Sequence, residues 1–351
     1  MSLSATLLDI PDVGNDVLTR RDSTADAAPP APTPRPIAAP ALRTDGLTKT
    51  YGTRNAVDGV SIEVPAGVVA GFVGPNGAGK TTTIRMLLAL IRPTAGSVEV
   101  LGIPATRPAD YLPRVGALIE GPAFYPGLSA RRNLEILATL GGFSTRRVDP
   151  LLAQVGLRGR EGDSVKTYSL GMKQRLGIAA ALLPDPALLI LDEPTNGLDP
   201  AGIQEIRHLI GQLKGQGVTI LISSHLLAEV EHIADWIILL NKGRVVYQGW
   251  LDALLAGQQG ALLVEAPTVH DLQIVAAVAR KRQYDSEVVD GRLRVQAPAG
   301  FAGDLNRGAM EAGVVLTQLY TERTSLEETF FSLTEGTSKT DGTDKTEGAA
   351  A

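Results

Sequence analysis

The stretch GPNGAGKT at 74–81 constrains the fold of this chain more than any other. It fits G-x-x-x-x-G-K-[ST], follows the apolar run VVAGFV at 68–73 and opens a segment with helical patterning. Its glycines let the backbone curl so that successive N–H groups converge on phosphate oxygens, and the helix start adds partial positive charge. Gly74, Pro75, Asn76, Gly77, Ala78, Gly79, Lys80, Thr81 and Thr82 are therefore candidate phosphate-binding residues. Lys80 brings a cation to the β/γ-phosphates, and the Thr81 hydroxyl is suited to Mg2+. Strand, loop and helix in this order belong to an open α/β sheet, with the loop at its carboxyl edge.

The segment 42–250 alternates strands and helices around that loop. The runs at 68–73, 188–191 and 218–222 read as buried parallel strands, and helices are expected over 80–91, 200–214 and 226–234. Earlier runs, 42–51 and 57–64, read as antiparallel strands, and 130–183 as a mostly helical insert. The C-terminal part has another rhythm: a strand at 262–266, a helix at 270–281, a hairpin over 286–295 about Asp290-Gly291, a helix at 301–312 and a strand at 314–320. That βαββαβ order is ferredoxin-like. A last helix is expected around 325–333.

Two acids end the run LLILDEP at 188–194. Adjacent strand residues face opposite ways, so Asp192 and Glu193 cannot share one task. Asp192 suits Mg2+ through a bound water, and Glu193 suits polarising an attacking water. His225 follows another core strand at the same edge, where a neutral imidazole could meet a γ-phosphate. His208, His232 and His270 fall in expected helices and receive no chemistry.

Composition excludes several classes. With no cysteine there is no disulfide, zinc-thiolate site or cysteine nucleophile. A formal net charge of −5 gives no broad basic footprint, so nucleic acid is not an expected partner. No run approaches the roughly 20 apolar residues of a membrane span, and the acidic N-terminus does not read as a signal peptide. A membrane role therefore needs a partner chain. The segment 29–40, half proline, and the tail 335–351, without a large apolar residue, read as disordered arms.

Three motifs now stand in order: the phosphate loop, YSLGMKQR at 168–175, and LLILDEP followed by Gly197-Leu198-Asp199. Together they resemble the nucleotide-binding subunit of an ATP-binding cassette (ABC) transporter. The SLGMKQR form and the SLEETF ending most resemble ATPases of ABC-2-type antibiotic and multidrug exporters. The resemblance covers about 42–250 and implies a P-loop NTPase with a RecA-like core, an antiparallel β subdomain and a helical subdomain at about 122–185. A small α+β ferredoxin-like domain would follow. The implied divisions are a Pro/Ala-rich arm at 1–41, the cassette at 42–256, a regulatory or dimerisation domain at 261–333 and a tail at 334–351.

By that resemblance, Tyr51 falls where an aromatic ring stacks on adenine. Ser169, Leu170, Gly171 and Met172 are the signature that closes on ATP held by a second subunit, and Asp199 links the two sites. Glu193 and His225 are the hydrolytic pair, with Mg2+ at Thr81, Glu120 and Asp192. A second ATP-binding subunit, most simply another copy, and a separate membrane permease are the implied partners. The permease would dock on 122–132, at the cytoplasmic face of the membrane. Two positions depart from the family pattern. Glu120 stands where a Gln is usual; Glu is a hard ligand for Mg2+ but cannot donate a hydrogen bond when ionised. Leu170 and Met172 replace the Gly and Gln of the common Leu-Ser-Gly-Gly-Gln signature. The competing assignment, a ribosome- or DNA-acting ABC ATPase, calls for two cassettes or a long coiled coil; the sequence shows one cassette and no heptad arm.

Overall fold

The structure, a computed structural model, describes residues 40–121, 123–256, 260–322 and 325–338. Most of both expected arms, and Pro122 of the expected docking segment, lie outside these residues. The chain runs through β1 (Pro40–Tyr51), β2 (Arg54–Pro65), β3 (Val69–Val73), α1 (Lys80–Leu87), β4 (Ala95–Val100), β5 (Ile103–Pro104), α2 (Pro108–Tyr111) and β6 (Val115–Leu118). The helical insert follows as α3 (Ala130–Leu140), α4 (Val148–Gln154) and α5 (Leu170–Ala181). Then come β7 (Leu188–Asp192), α6 (Pro200–Gly215), β8 (Thr219–Ser224), α7 (Leu227–Glu231), β9 (Trp236–Asn241), β10 (Arg244–Trp250) and α8 (Leu251–Ala256). The last part holds β11 (Ala261–Glu265), α9 (Val269–Lys281), β12 (Ser286–Val289), β13 (Arg292–Gln296), α10 (Ala302–Glu311), β14 (Gln318–Glu322) and α11 (Leu326–Ser338).

The central sheet has the order β10-β9-β3-β8-β7-β6 and is parallel except for the β9–β10 edge. Its inner strands carry near-continuous apolar runs because both faces are covered. Alternate residues supply two different cores. Leu189, Leu191, Ile220 and Ile222 pack under the helices α3–α6. Leu188, Ile190, Leu221, Ala70 and Phe72 pack against α1 and the antiparallel sheet β2-β1-β4-β5. Since β8 lies between β3 and β7, the residues after these three strands meet at one edge. Val73 pairs with Ser224, and Asp192 with Ser223.

Several expected boundaries shift. The first strand starts at Pro40, before the expected cassette edge, and α11 continues beyond 333 to Ser338. The helix expected through 91 ends at Leu87, where Ala89 turns to a left-handed φ of 54°. The helix expected over 226–234 shrinks to five residues. The C-terminal sheet has the order β12-β13-β11-β14 and is antiparallel throughout, which is the ferredoxin-like arrangement with α9 and α10 on one face. Its hairpin turns at Asp290 and Gly291, both at positive φ as a two-residue turn of this hand requires.

Candidate active site

The loop from β3 into α1 is held tightly by its surroundings. A Cβ on Gly79 would fall 2.5 Å from the Ala56 carbonyl oxygen, and Gly79 sits at a φ of 104° that side chains avoid. Gly79 provides no side-chain cap to α1, so the first amides of that helix are left for a ligand. Lys80 is buried, its Nζ donating to the Gly74 carbonyl over 2.8 Å and standing 3.3 Å from Glu193 Oε1.

The two acids face different partners. Thr81 Oγ1 donates to Asp192 Oδ2 over 2.9 Å, and Ser223 Oγ donates to Asp192 Oδ1. A hydroxyl and a buried carboxylate side by side are a donor set that suits a hard divalent cation. Glu193 leaves the strand at a left-handed φ of 50°, its amide donating to Ser223 Oγ over 3.0 Å. That turn brings its carboxylate between Lys80 and His225, with His225 Nδ1 2.8 Å from Glu193 Oε2. Tyr51, Asn76, Lys80, Thr81, Thr82, Glu193 and His225 line one cleft of about 580 Å3. Tyr51 stands half-exposed at its mouth, with Lys49 Nζ 5.3 Å from the ring centroid.

Other expected residues lie elsewhere. Glu120 follows β6 at a φ of 59°, and its exposed carboxylate pairs with Arg85 of α1 rather than joining Thr81 and Asp192. Among the described residues, no three His, Asp or Glu side chains converge as a metal cluster. Ser169, Leu170, Gly171 and Met172 are absent from the lining of the Lys80 cleft. Ser169 caps α5, its Oγ accepting from the Met172 amide over 3.2 Å. Asp199 caps α6 in the same way, accepting from the Gly202 amide over 2.9 Å. The two caps are neighbours: a Cβ on Gly197 would lie 3.2 Å from Leu170 Cδ2, and one on Gly171 3.8 Å from Leu198 Cδ2. Behind them Arg175 of α5 pairs with Glu205 of α6, and burial pulls its guanidinium pKa down.

Four residues of the site were not anticipated. Ser223 Oγ donates to the Asp192 carboxylate and accepts from the Glu193 amide, and Arg54, Ala56 and Asn196 line the cleft. Ser223 had one usable signal, its place near the end of the strand that leads into His225, two residues before it.

Phosphate loop, divided acids and histidine on one sheet edge make this a P-loop NTPase. The ABC transporter family model matches residues 57–196. The bacitracin transport ATP-binding protein BcrA of Bacillus licheniformis is 41% identical over 302 residues, 84% of this chain and 97% of that protein. The daunorubicin resistance ATP-binding protein DrrA3 of Streptomyces coeruleorubidus is 36% identical over 84% of this chain and 96% of that protein. Among solved structures, an ATP-binding subunit of an ABC transporter aligns with a TM-score of 0.55 and 33% identity, over 62% of this chain and 92% of that one. The cassette MJ0796, dimeric and bound to ADP and Pi, aligns with a TM-score of 0.54 and 25% identity, over 60% of this chain and 98% of that one. This chain belongs to the ABC transporter family, as an ATP-binding, ATP-hydrolysing subunit.

Proposed function

We propose that two copies of this chain pair head to tail and drive export through a separate membrane permease at the cytoplasmic face. The observation that carries this reading is the separation of parts: Lys80, Glu193 and His225 share one cleft, while the signature residues stand outside it. A signature outside its own cleft serves an ATP on a neighbour. In the pair, Tyr51 stacks on adenine, the 74–81 amides and Lys80 hold the phosphates, and the partner copy closes the site with its signature. Phosphate oxygens compete with Glu193 for Lys80, which frees the Glu193 carboxylate to take a proton from the attacking water. His225 orients Glu193 through Nδ1 and faces the γ-phosphate. Thr81 and Asp192 would hold Mg2+; when bound, that ion neutralises charge on the phosphates. Glu120 would join it only after leaving Arg85. Asp199 links the two sites.

The permease-docking surface fits residues 123–132 and the apolar groove beside them. That groove, about 460 Å3, is lined by Leu118, Phe124, Leu137, Phe143 and Gly177, and Tyr125 stands exposed on the same segment. The buried Asn133 side chain shapes the segment by accepting from the Tyr125 amide and donating to the Tyr125 and Ser129 carbonyls. Among the described residues no helix is long and apolar enough to cross a membrane, so the pathway belongs to the partner. The relatives named for bacitracin and daunorubicin support an antibiotic or another drug, peptide or lipid as cargo.

Glu193→Gln keeps the shape of the side chain and removes its basicity. The expected result is ATP binding within about two-fold of wild type, turnover reduced by two orders of magnitude or more on the scale of lost general-base catalysis, and accumulation of an ATP-bound dimer on size exclusion. Wild-type turnover by this variant would remove Glu193 from the hydrolytic role.

A further inference from the structure

The helix α7 begins two residues after His225 and spans only five residues, and its N-cap Leu226 offers no side-chain acceptor. So short a helix has too few internal hydrogen bonds to hold its own place, and its position is set by what packs on it. On one flank, Val230 presses on β3 so closely that a Cβ on Gly71 would fall 2.2 Å from its Cγ1. α11 packs on it as well. Leu326 and Phe330 of α11 are buried in one cluster with Val230, Val73, Leu251 and Leu254.

The polar contacts repeat that arrangement. The start of α11 is closed by Ser325 and Glu328: the Glu328 amide donates to Ser325 Oγ and the Ser325 amide to Glu328 Oε2, each over 3.2 Å. The next amide, that of Leu326, donates to Glu231 Oε2 over 2.9 Å across 95 residues of sequence. Glu231 is the last residue of α7, and a carboxylate is favoured at a helix N-terminus. Val73 shares the cluster but sits in a strand paired on both sides, so it keeps its place without α11. α7 belongs to no sheet.

We infer that α11 braces the His225 segment, and that Glu231, Leu326 and Phe330 are positioning residues for ATP hydrolysis. By fixing α7 they fix the backbone from which His225 meets Glu193. The C-terminal part thereby governs turnover rather than nucleotide affinity, since Tyr51, Lys80 and the loop amides lie on other elements. This inference rests on the hydrolytic reading of Glu193 and His225 given above.

The test uses the full chain. Leu326→Ala with Phe330→Ala is expected to lower kcat at least five-fold, to leave KM and the Kd for ATP within two-fold, and to speed deuterium uptake at the 226–231 amides. Leu326→Ile with Phe330→Leu is expected to restore kcat. Glu231→Ala leaves the apolar cluster intact, so it remains informative if the double variant does not fold; it is expected to lower kcat two- to three-fold with KM unchanged. Unchanged kcat in the folded variants, or ATP affinity weakened in parallel with kcat, would overturn the brace. Wild-type turnover in Glu193→Gln and His225→Ala would overturn the underlying reading instead. Loss of turnover in those two with unchanged kcat in the α11 and Glu231 variants would overturn the brace alone.

Discussion

Tyr51 and Arg54 face each other across the turn Gly52-Thr53 that joins β1 to β2. Residues directly opposite in an antiparallel pair project from the same face, so one hairpin tip presents a ring and a guanidinium to the same cleft. The Arg54 Nη2 lies 4.0 Å from where a Cβ on Gly77 would stand, beside the phosphate loop. A nucleotide with its base on Tyr51 and its terminal phosphates on Lys80 must pass this guanidinium. Hydrogen bonds to charged groups are worth about 1.5–3 kcal/mol when shielded and less when open to water. Arg54→Ala is therefore expected to weaken ATP and ADP about five-fold while changing adenosine little, read by binding titrations at low and high salt. Equal weakening of all three would assign Arg54 to the base instead. Arg54 and Ser223 show why part of the site was hidden in the sequence. Asp192 and Glu193 are legible because two adjacent acids at the end of an apolar run stand out from it. Ser223, inside TILISS, reads as ordinary strand, and its purpose arises only when β8 pairs with β7 and its hydroxyl falls between the Asp192 carboxylate and the Glu193 backbone amide.

At the scale of the element, α5 separates capping from recognition. Ser169 begins the helix, while the buried Leu176, Ile178 and Ala179 hold it in the core. Ser169→Arg removes a cap worth about 1 kcal/mol and puts a long side chain where a neighbour's phosphates would sit. The helix should persist through its buried face. Hydrolysis is expected to fall at least ten-fold, while ATP binding by the dilute chain stays within two-fold. Undiminished hydrolysis would take the signature out of the nucleotide site. Elements of this kind were readable when they carried their own punctuation: Gly79 before α1, Ser169 before α5, Asp290-Gly291 inside the hairpin. Those defined by partners were not. The four-residue β6 has no pattern beyond VGAL and exists because β7 supplies a parallel neighbour from Val115 to Leu118. The early end of α1 was likewise hidden, because nothing in LLALIRP announces a left-handed Ala89.

For the whole molecule, the proposed pairing of one phosphate loop with a neighbour's signature would make hydrolysis a property of pairs. Specific ATPase activity is expected to rise with chain concentration below the pairing constant and then level off, followed by activity at constant ATP across a dilution series. A flat profile down to the most dilute detectable activity would mean that a single copy suffices. The closeness of Leu170 to the Gly197-Leu198 turn would give the proposed pairing a further property. The turn leads straight into Asp199, and the helix start leads outward to the neighbour's nucleotide. Where the common signature has glycine, there is no side chain to join the two; here a leucine spans them. In the proposed pair, a displacement of the α5 start at the borrowed ATP would bear on the turn that leads into Asp199. The assembly would then run in step, like two escapements sharing one pallet, rather than as two engines on separate clocks.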